Sequence, residues 1–436
     1  MAVLLRLNQG GTTYSLTSGD VLTLGYTPRV GSAGEPTVVD SIELLLYGAT
    51  AADVQTAAQT IDRYRVEARA RQADEAGTRV YLEMQLDADS EYWRSEILDG
   101  RLEFPDGALD TQATRKMRMV LVVERLNFWE SGEVELPIST SVSGAGTGGK
   151  TVGNHDDADA VASSHNWVQI AAGQVGGALP TPARITLANA TASNQDYRNL
   201  YIGLNARSDP ANFTHVIEAE TAAPSYGSSV SLSSCSGGAY LSTSVAGSTF
   251  VQWTLPAATL QKVQGRFCRL LARFASVVGA CYVRPVVRDG DGVIDLFVGD
   301  EIRVDSAVPI WDLGAVPLPP SAGAVTWSDL TLLLMLRSTS STLGIDFIQL
   351  TPLDGYGHIR QRGNYLPPGG VITIDGIEGI VYGGGAPIYT PIRQQLLLQP
   401  NLLQRLYFLH DEGTGAPVIT NTFTVRVYYR KRRQSL

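Results

Sequence analysis

Cysteine, histidine, methionine and lysine are all scarce in this chain of 436 residues, and each scarcity excludes something. The three cysteines, Cys235, Cys268 and Cys281, are odd in number and show no CxxC spacing, which excludes a disulfide scaffold or a zinc ribbon. One disulfide stays open; three small buried thiols is the favoured reading. The five histidines, His155, His165, His215, His358 and His410, include no HExxH and no two within four residues of each other. A helical two-histidine metal site is therefore excluded. There is no GxSxG elbow. No apolar run approaches about 18 residues, so neither a membrane helix nor membrane insertion is expected. The apolar part of the opening Met1-Ala-Val-Leu-Leu-Arg-Leu-Asn8 is too short for a signal-peptide core. A soluble chain made without a secretory address is the expectation.

Charge is also sparse. Charged residues make up 18% of the chain, against a usual ~25%, while the 44 glycines are abundant. That combination excludes a coiled coil and a highly charged disordered chain. The 34 basic residues face 43 acidic ones, net −9, which argues against nucleic-acid recognition over the whole surface. Only four of the basic residues are lysine. At about 100–200 residues per domain, the length allows two to four domains, each with its own core.

What the chain does contain is alternation. Met117, Met119, Leu121 and Val123 alternate with Arg118, Val120, Val122 and Glu124; Thr249, Val251, Trp253 and Leu255 alternate with Phe250, Gln252 and Thr254. Short runs of this kind, separated by Gly- and Pro-rich punctuation, predict a mainly β chain of several β-sandwiches. One segment differs. From Ala51 to about Asp74, the residues Val54, Ala57, Ala58, Ile61, Tyr64 and Ala68 recur at helical spacing behind a Thr50/Asp53 capping box. Residues 1–136 therefore read as one β-rich unit with a single helix. No repeat of 20–50 residues is visible, which argues against solenoids and propellers.

Several motifs invite chemistry. Gly144-Ala-Gly-Thr-Gly-Gly-Lys-Thr151 matches a P-loop by letters, but it lacks the preceding buried strand and following helix that would cradle a phosphate. The stretch from Ser141 to Lys150 reads as a flexible linker or long loop. His155-Asp-Asp157 and His410-Asp-Glu412 place acids beside an imidazole and read as solvated turns. Asp289-Gly-Asp-Gly-Val-Ile-Asp295 looks like a calcium loop, yet the EF-hand positions for Gly and Glu hold Ile294 and Asp300; a hairpin turn is the better reading. The closing Arg426-Val-Tyr-Tyr-Arg-Lys-Arg-Arg433 reads as the end of an edge strand, or as a partner for acidic groups on a neighbouring subunit.

Two resemblances carry the functional expectation. His215-Val-Ile-Glu-Ala-Glu220, Gly237-Gly-Ala-Tyr240, Gly265-Arg-Phe-Cys-Arg-Leu-Leu-Ala-Arg273 and Gly344-Ile-Asp-Phe-Ile-Gln-Leu350 occur in that order. Together they resemble jelly-roll carbohydrate-binding modules, with Arg269 standing where that family has an aliphatic residue. The resemblance implies that Glu218, Glu220 and Asp346 help hold a structural Ca²⁺. Read as residues alone, Glu218 and Glu220 are two apart on a strand and share a face. There they need a cation, which Ca²⁺ satisfies with six to eight oxygens, or they form an exposed acidic edge. Sugar sites stack an aromatic ring on a pyranose. Tyr226, Trp311 and Trp327, near turns, are the carbohydrate-binding candidates, whereas Trp253 reads as core.

The second resemblance brackets the first. Leu179–Asn189, Val371-Ile-Thr-Ile-Asp-Gly-Ile377, Gln404-Arg-Leu-Tyr-Phe-Leu409 and Thr422–Arg432 are similar to strands of the C-terminal domain of tailed-phage distal tail (baseplate hub) proteins. The leading unit is similar in layout to the ring-forming N-terminal domain of that family. The implied domains are a ring-forming β-domain (1–136), the first half of a split sandwich (137–213), an inserted carbohydrate-binding-like jelly roll (214–352) and the second half of the sandwich (353–436). The resemblance implies a virion protein of the phage tail tip and no enzyme. Its partners would be itself as a homo-oligomeric ring, neighbouring tail-tube and tail-tip proteins, and a host surface glycan. Two other classes stay open: a free carbohydrate-binding or adhesive protein, and a polysaccharide-acting enzyme.

Overall fold

The computed structural model describes residues 3–32, 34–74, 77–86, 91–105, 115–140, 143–153, 165–192, 199–206, 216–222, 227–256, 266–306, 309–318, 329–360, 366–383, 386–393, 395–410 and 423–435. The chain is mainly β, built from several antiparallel sheets in a multidomain β-sandwich architecture, as the alternation predicts. It divides into two compact units: Met1–Val134 with Gly176–Leu179 and Arg430–Leu436, and Glu135–Val175 with Pro180–Tyr429.

The first unit contains the one α-helix among the described residues, Ala51–Ala73. Thr50 and Asp53 cap it reciprocally, each side chain accepting from the other's backbone N–H. Its buried face is Val54, Ala57, Ala58, Ile61, Tyr64 and Ala68, the stripe whose spacing predicts it. That stripe packs into a core with Leu5, Leu7, Ile42, Leu44, Leu82, Met119, Leu121 and Trp129 from the surrounding strands. Beneath lies a charged pair that alternation alone does not reveal. Arg125 and Asp40, both fully buried, meet at 2.6 Å, and Tyr26 donates to the same carboxylate at 2.8 Å. Arg125 also lies 4.5 Å over the Trp129 ring.

In the second unit, two sheets interleave strands from either side of residues 214–352. One sheet places Arg184–Asn189 between Val371–Asp375 and Phe423–Arg433, antiparallel to both. The other runs Trp167–Ile170, Gln404–His410, Asn199–Asn205, Tyr356–Arg360, Tyr389–Arg393. Phe408 of this second sheet meets Phe423 of the first edge-on, their ring centroids 5.7 Å apart.

The glycine-rich stretch, read as a flexible linker or a long loop, is a packed loop over its described residues. Ile138 and Gly146 exchange two backbone hydrogen bonds of 3.1 Å, and Lys150–Val152 pairs as a strand with Phe423–Val425. Gly149, at φ +90°, comes so close that a Cβ there would lie 2.5 Å from Thr424 Cγ2. Glycine is required by approach and by backbone sign together. Lys150 Nζ reaches the Ser143 hydroxyl at 2.8 Å. The phosphate-loop letters thus lead into a strand instead of a helix.

Residues 216–352 form their own nine-stranded assembly. Its longest strand, Asp329–Pro352, changes partners along its length. Residues 329–337 pair with Ser248–Pro256 and Tyr282–Arg288, whereas residues 342–352 pair with Cys268–Val278 and, on the other side, with Val216–Glu218 and Leu241–Ser244. Ala239–Pro256 changes layer with it at a bulge between Val245 and Gly247. The enclosed core includes Val251, Trp253, Leu270, Phe274, Val283, Leu334 and Ile345, so Trp253 is core as expected.

Alternation then assigns the other face of Arg266–Val278. Cys268, Leu270, Ala272 and Phe274 point into that core, while Leu271 joins Tyr201, Val216, Ile310, Phe347, Tyr356 and Leu409 in a second apolar cluster. That cluster contains side chains of the five-stranded sheet, so the assembly is welded to that sheet by shared burial. The odd arginine of the motif belongs to this face as well. Arg269 pairs with Asp312 at 2.6 Å and lies 5.6 Å over the Tyr356 ring. An aliphatic residue there would leave Asp312 without its guanidinium.

All three cysteines are free and buried. Burial pushes the Cys268 thiol up to about 12 and raises Cys235 and Cys281 as well. The Asp289 stretch is a turn between Cys281–Arg288 and Asp295–Val298, in which Asp289 Oδ1 accepts from the Val293 and Ile294 amides at 2.8 and 3.1 Å.

Candidate functional site

The acidic residues singled out from the sequence gather at one turn, by a route the strand reading did not give. The opening strand stops at Glu218; Ala219–Thr221 is a 3₁₀ turn. Ala219 is fully buried, and Thr221 Oγ1 donates back to Glu218 O at 2.6 Å, which closes the turn and takes Glu220 off the strand. The two glutamates therefore do not share a strand face. They converge through the opposite turn, Ser236–Gly238. Ser236 Oγ donates to Glu218 Oε1 at 2.6 Å. Gly237 sits at φ +63°, where a Cβ would lie 2.7 Å from Glu220 Oε1 and 3.7 Å from Glu218 Oε2. The Oε2 atoms of both glutamates are shielded from solvent.

Asp346 reaches the same turn from the last strand. It is the residue skipped in the ladder with Arg266–Val278, where Arg273 pairs with Phe347 and Phe274 with Ile345. A bulge of this kind re-aims a side chain. Here Asp346, fully buried, accepts from the Ser236 amide through Oδ1 at 2.9 Å and from Arg273 Nη1 through Oδ2 at 2.6 Å. Arg273, equally buried, is the internal cation for this carboxylate.

A hard cation asks for converging oxygens at about 2.3–2.6 Å. Glu218 and Glu220 suit such a cation in chemistry, and both bring carboxylate oxygens to the Gly237 turn. Asp346 does not present itself in the same way, since Arg273 and Ser236 hold its two oxygens. Among the described residues, no group of three His, Cys, Asp or Glu side chains is gathered as a metal site. The structure thus brings two of the three expected ligands together and sets the third behind them, holding the turn.

Of the aromatic candidates, Trp311 lies on Ile310–Leu318 and packs, half-buried, against the core of the nine-stranded assembly. Tyr226 and Trp327 lie outside the described residues, as do His155-Asp-Asp157 and His215. His410 is fully buried, its ring 5.2 Å from Phe423, while Asp411 and Glu412 lie outside the described residues. The basic C-terminal run finds its acids in its own chain: Arg430 and Arg432 pair with Glu130, and Lys431 with Glu91. Those acids follow from no local pattern, because they lie about three hundred residues away.

A polar cluster that sequence reasoning missed lies where the nine-stranded assembly meets the five-stranded sheet. Asp312 accepts from Tyr356 Oη at 2.9 Å and from Arg269 Nε at 2.7 Å. Arg266 reaches Asp354 at 2.5 Å and Asn205 at 3.1 Å, and Asn166 donates to Gln349 at 2.7 Å. These groups bind one layer to another, so their chemistry is adhesive.

No sequence-family profile matches the chain, and no curated protein matches it. Among solved structures, it is similar to the GH26-CBM35 β-(1,4)-mannanase of Podospora anserina, with 19% identity over 31% of this chain and 27% of that one, at a TM-score of 0.22. It is also similar to a chain of the phage P2 baseplate in its activated conformation with Ca, with 10% identity over 78% of this chain and 99% of that one, at a TM-score of 0.21. The same baseplate with Sr gives 10% identity, the same coverage and a TM-score of 0.21. At these scores neither likeness assigns an activity.

Proposed function

We propose that this chain is a structural virion protein of a phage tail tip, of distal-tail type. Residues 1–136 form a homo-oligomeric ring that meets the neighbouring tail-tube and tail-tip proteins. Residues 137–213 and 353–436 are the two halves of one sandwich, and residues 214–352 are a carbohydrate-binding-like jelly roll displayed for attachment to a host surface glycan. No catalysis is invoked. Glu218 and Glu220 hold a structural Ca²⁺ that fixes the Ser236–Gly238 turn.

What supports this reading is that strands from either side of residues 214–352 pair with one another. Arg184–Asn189 pairs with Val371–Asp375 on one side and with Phe423–Arg433 on the other. The nine-stranded assembly intervenes in sequence and has a core largely its own. A module inserted at a loop costs its host little, since closure entropy rises slowly with loop length. Several copies per ring would also strengthen weak glycan contacts through high effective concentration.

The test is placement. Immunogold labelling of purified particles should mark the tail tip, and mass spectrometry of those particles should recover several copies per virion. Particles that lack the chain would remove the proposal. Recovery of the intact chain from culture medium without lysis would favour a free adhesive protein instead.

A further inference from the structure

The first unit is not finished by its own contiguous sequence. Glu130 on Trp129–Glu135 is 6% exposed. Its partners come from the far end of the chain: Arg432 Nε at 2.7 Å, with a second contact from Arg432 Nη2, and Arg430 Nη1 at 3.2 Å. Burial by itself pushes the Glu130 carboxyl up, yet the two guanidiniums together hold it below the ordinary carboxylate value.

The remaining contacts make the same segment a fitted part. The Lys431 amide donates to Ser131 Oγ at 3.0 Å, and Lys431 Nζ stands 3.4 Å from Glu91. The Arg433 guanidinium lies 3.4 Å over the Trp93 ring and that of Arg432 lies 4.1 Å over Phe128. Gln434 donates to Gly31 O at 2.7 Å. From the other side, the amides of Ala178 and Leu179 both donate to Arg432 O, at 2.7 and 3.1 Å. Gly177, at φ +102°, lets the backbones meet, since a Cβ there would lie 2.5 Å from that carbonyl oxygen.

We propose that Arg430–Ser435 is a closing strap. The first unit stays unfinished, with Glu130 lacking its counter-charges and Trp93 and Phe128 lacking their cationic cover, until that segment has been made and docked. A buried carboxylate stripped of its partners is strongly disfavoured, so the open form differs sharply from the closed one. If the first unit is the surface through which copies associate, which rests on the ring reading above, then only chains with the strap docked associate. Chains that lack the strap, or hold it undocked, are kept out of the assembly.

Hydrogen-exchange mass spectrometry combined with sedimentation velocity tests this. The comparison is between the full chain, a chain ending at Tyr429, and the full-length double variant R430Q/R432Q. Exchange in peptides covering 91–95 and 128–134 should rise at least tenfold in both altered chains, while the 266–278 strand keeps its protection. A synthetic peptide of residues 424–436, added in trans to the truncated chain, should restore both protection and self-association. Should truncation prevent folding, the R430Q/R432Q chain decides. Unchanged protection in 128–134 without the strap would overturn the proposal, and so would peptide that restores nothing. A full chain that stays monomeric at every concentration would instead overturn the ring reading, and the exchange data would still judge the strap.

Discussion

Arg273 and Asp346, both without solvent exposure, meet at 2.6 Å behind the Ser236 turn and neutralise each other inside the nine-stranded assembly. Such a pair adds little net stability over an apolar isostere, but breaking it from one side leaves a buried charge and costs roughly 3–5 kcal/mol. Arg273→Met is therefore expected to lower the stability of the second unit by about that amount. The double change R273M/D346L should recover most of the loss. Urea denaturation of the three chains measures it. Equal midpoints for wild type and R273M would show that the pair is not the keystone described.

Calcium should act on Glu218 and Glu220, while Asp346 acts on the turn. Ligand that binds only the native state stabilises by roughly 2.7 kcal/mol at a hundred times its dissociation constant. Calorimetric melting of the full chain is expected to shift upward with Ca²⁺, and to shift far less with Mg²⁺, which demands a tighter octahedron. E218Q/E220Q should abolish that increment. D346N should lower the melting temperature with or without the metal. An increment that survives E218Q/E220Q would place the cation elsewhere.

Much of this fold is written in local periodicity, and the limits of that legibility are physical. The helical stripe from Val54 to Ala68 and its capping box are set by neighbours three and four residues apart, so the sequence displays them directly. Trp253 and the three thiols are legible for a similar reason, since alternation and polarity suffice to place them inside. Three features were hidden. The 3₁₀ turn at Glu220 depends on Ala219 being drawn into a core assembled from distant strands. Asp346 owes its direction to a bulge, which one extra residue creates and no composition announces. The partner of Arg432 is Glu130, and a pairing across that span is a property of topology. The glycine-rich linker misled for the opposite reason. Composition gave flexibility, whereas Gly149 is glycine because Thr424 leaves no room for a side chain.

The weld between the nine-stranded assembly and the five-stranded sheet can be probed at a single methyl. A Cβ on Gly203 would lie 2.2 Å from Thr351 Cγ2, and Thr351 is 1% exposed. Overpacking at such a site costs about 1–3 kcal/mol. Gly203→Ala is expected to destabilise by that amount, and adding Thr351→Ser, which removes the clashing methyl and keeps the hydroxyl for Gln349, should restore most of it. A thermal-melt double-mutant cycle gives the coupling. Additive effects from the two changes would mean that the layers are free to move apart.

Acid should loosen the same region through His358. Its Nε2 lies 2.9 Å from Asn199 Oδ1, and its ring stacks on Tyr201 with centroids 4.6 Å apart. Burial lowers its pKa from the ordinary 6.5; Asp312 opposes the shift, while Arg360 and Arg269 reinforce it. The native state therefore binds the proton less readily than the unfolded chain does. Stability is complete above 6.5 and declines as pH falls below it, because the unfolded state is protonated first. The decline ends once pH passes below the folded value, and its slope is at most ~1.4 kcal/mol per pH unit. His358→Gln keeps a polar group near Asn199 and removes the proton. Urea unfolding free energies measured from pH 7.5 down to about 5 should show a shallower slope for H358Q by up to one proton. Parallel curves would assign the acid sensitivity to other groups and leave His358 as a packing residue alone.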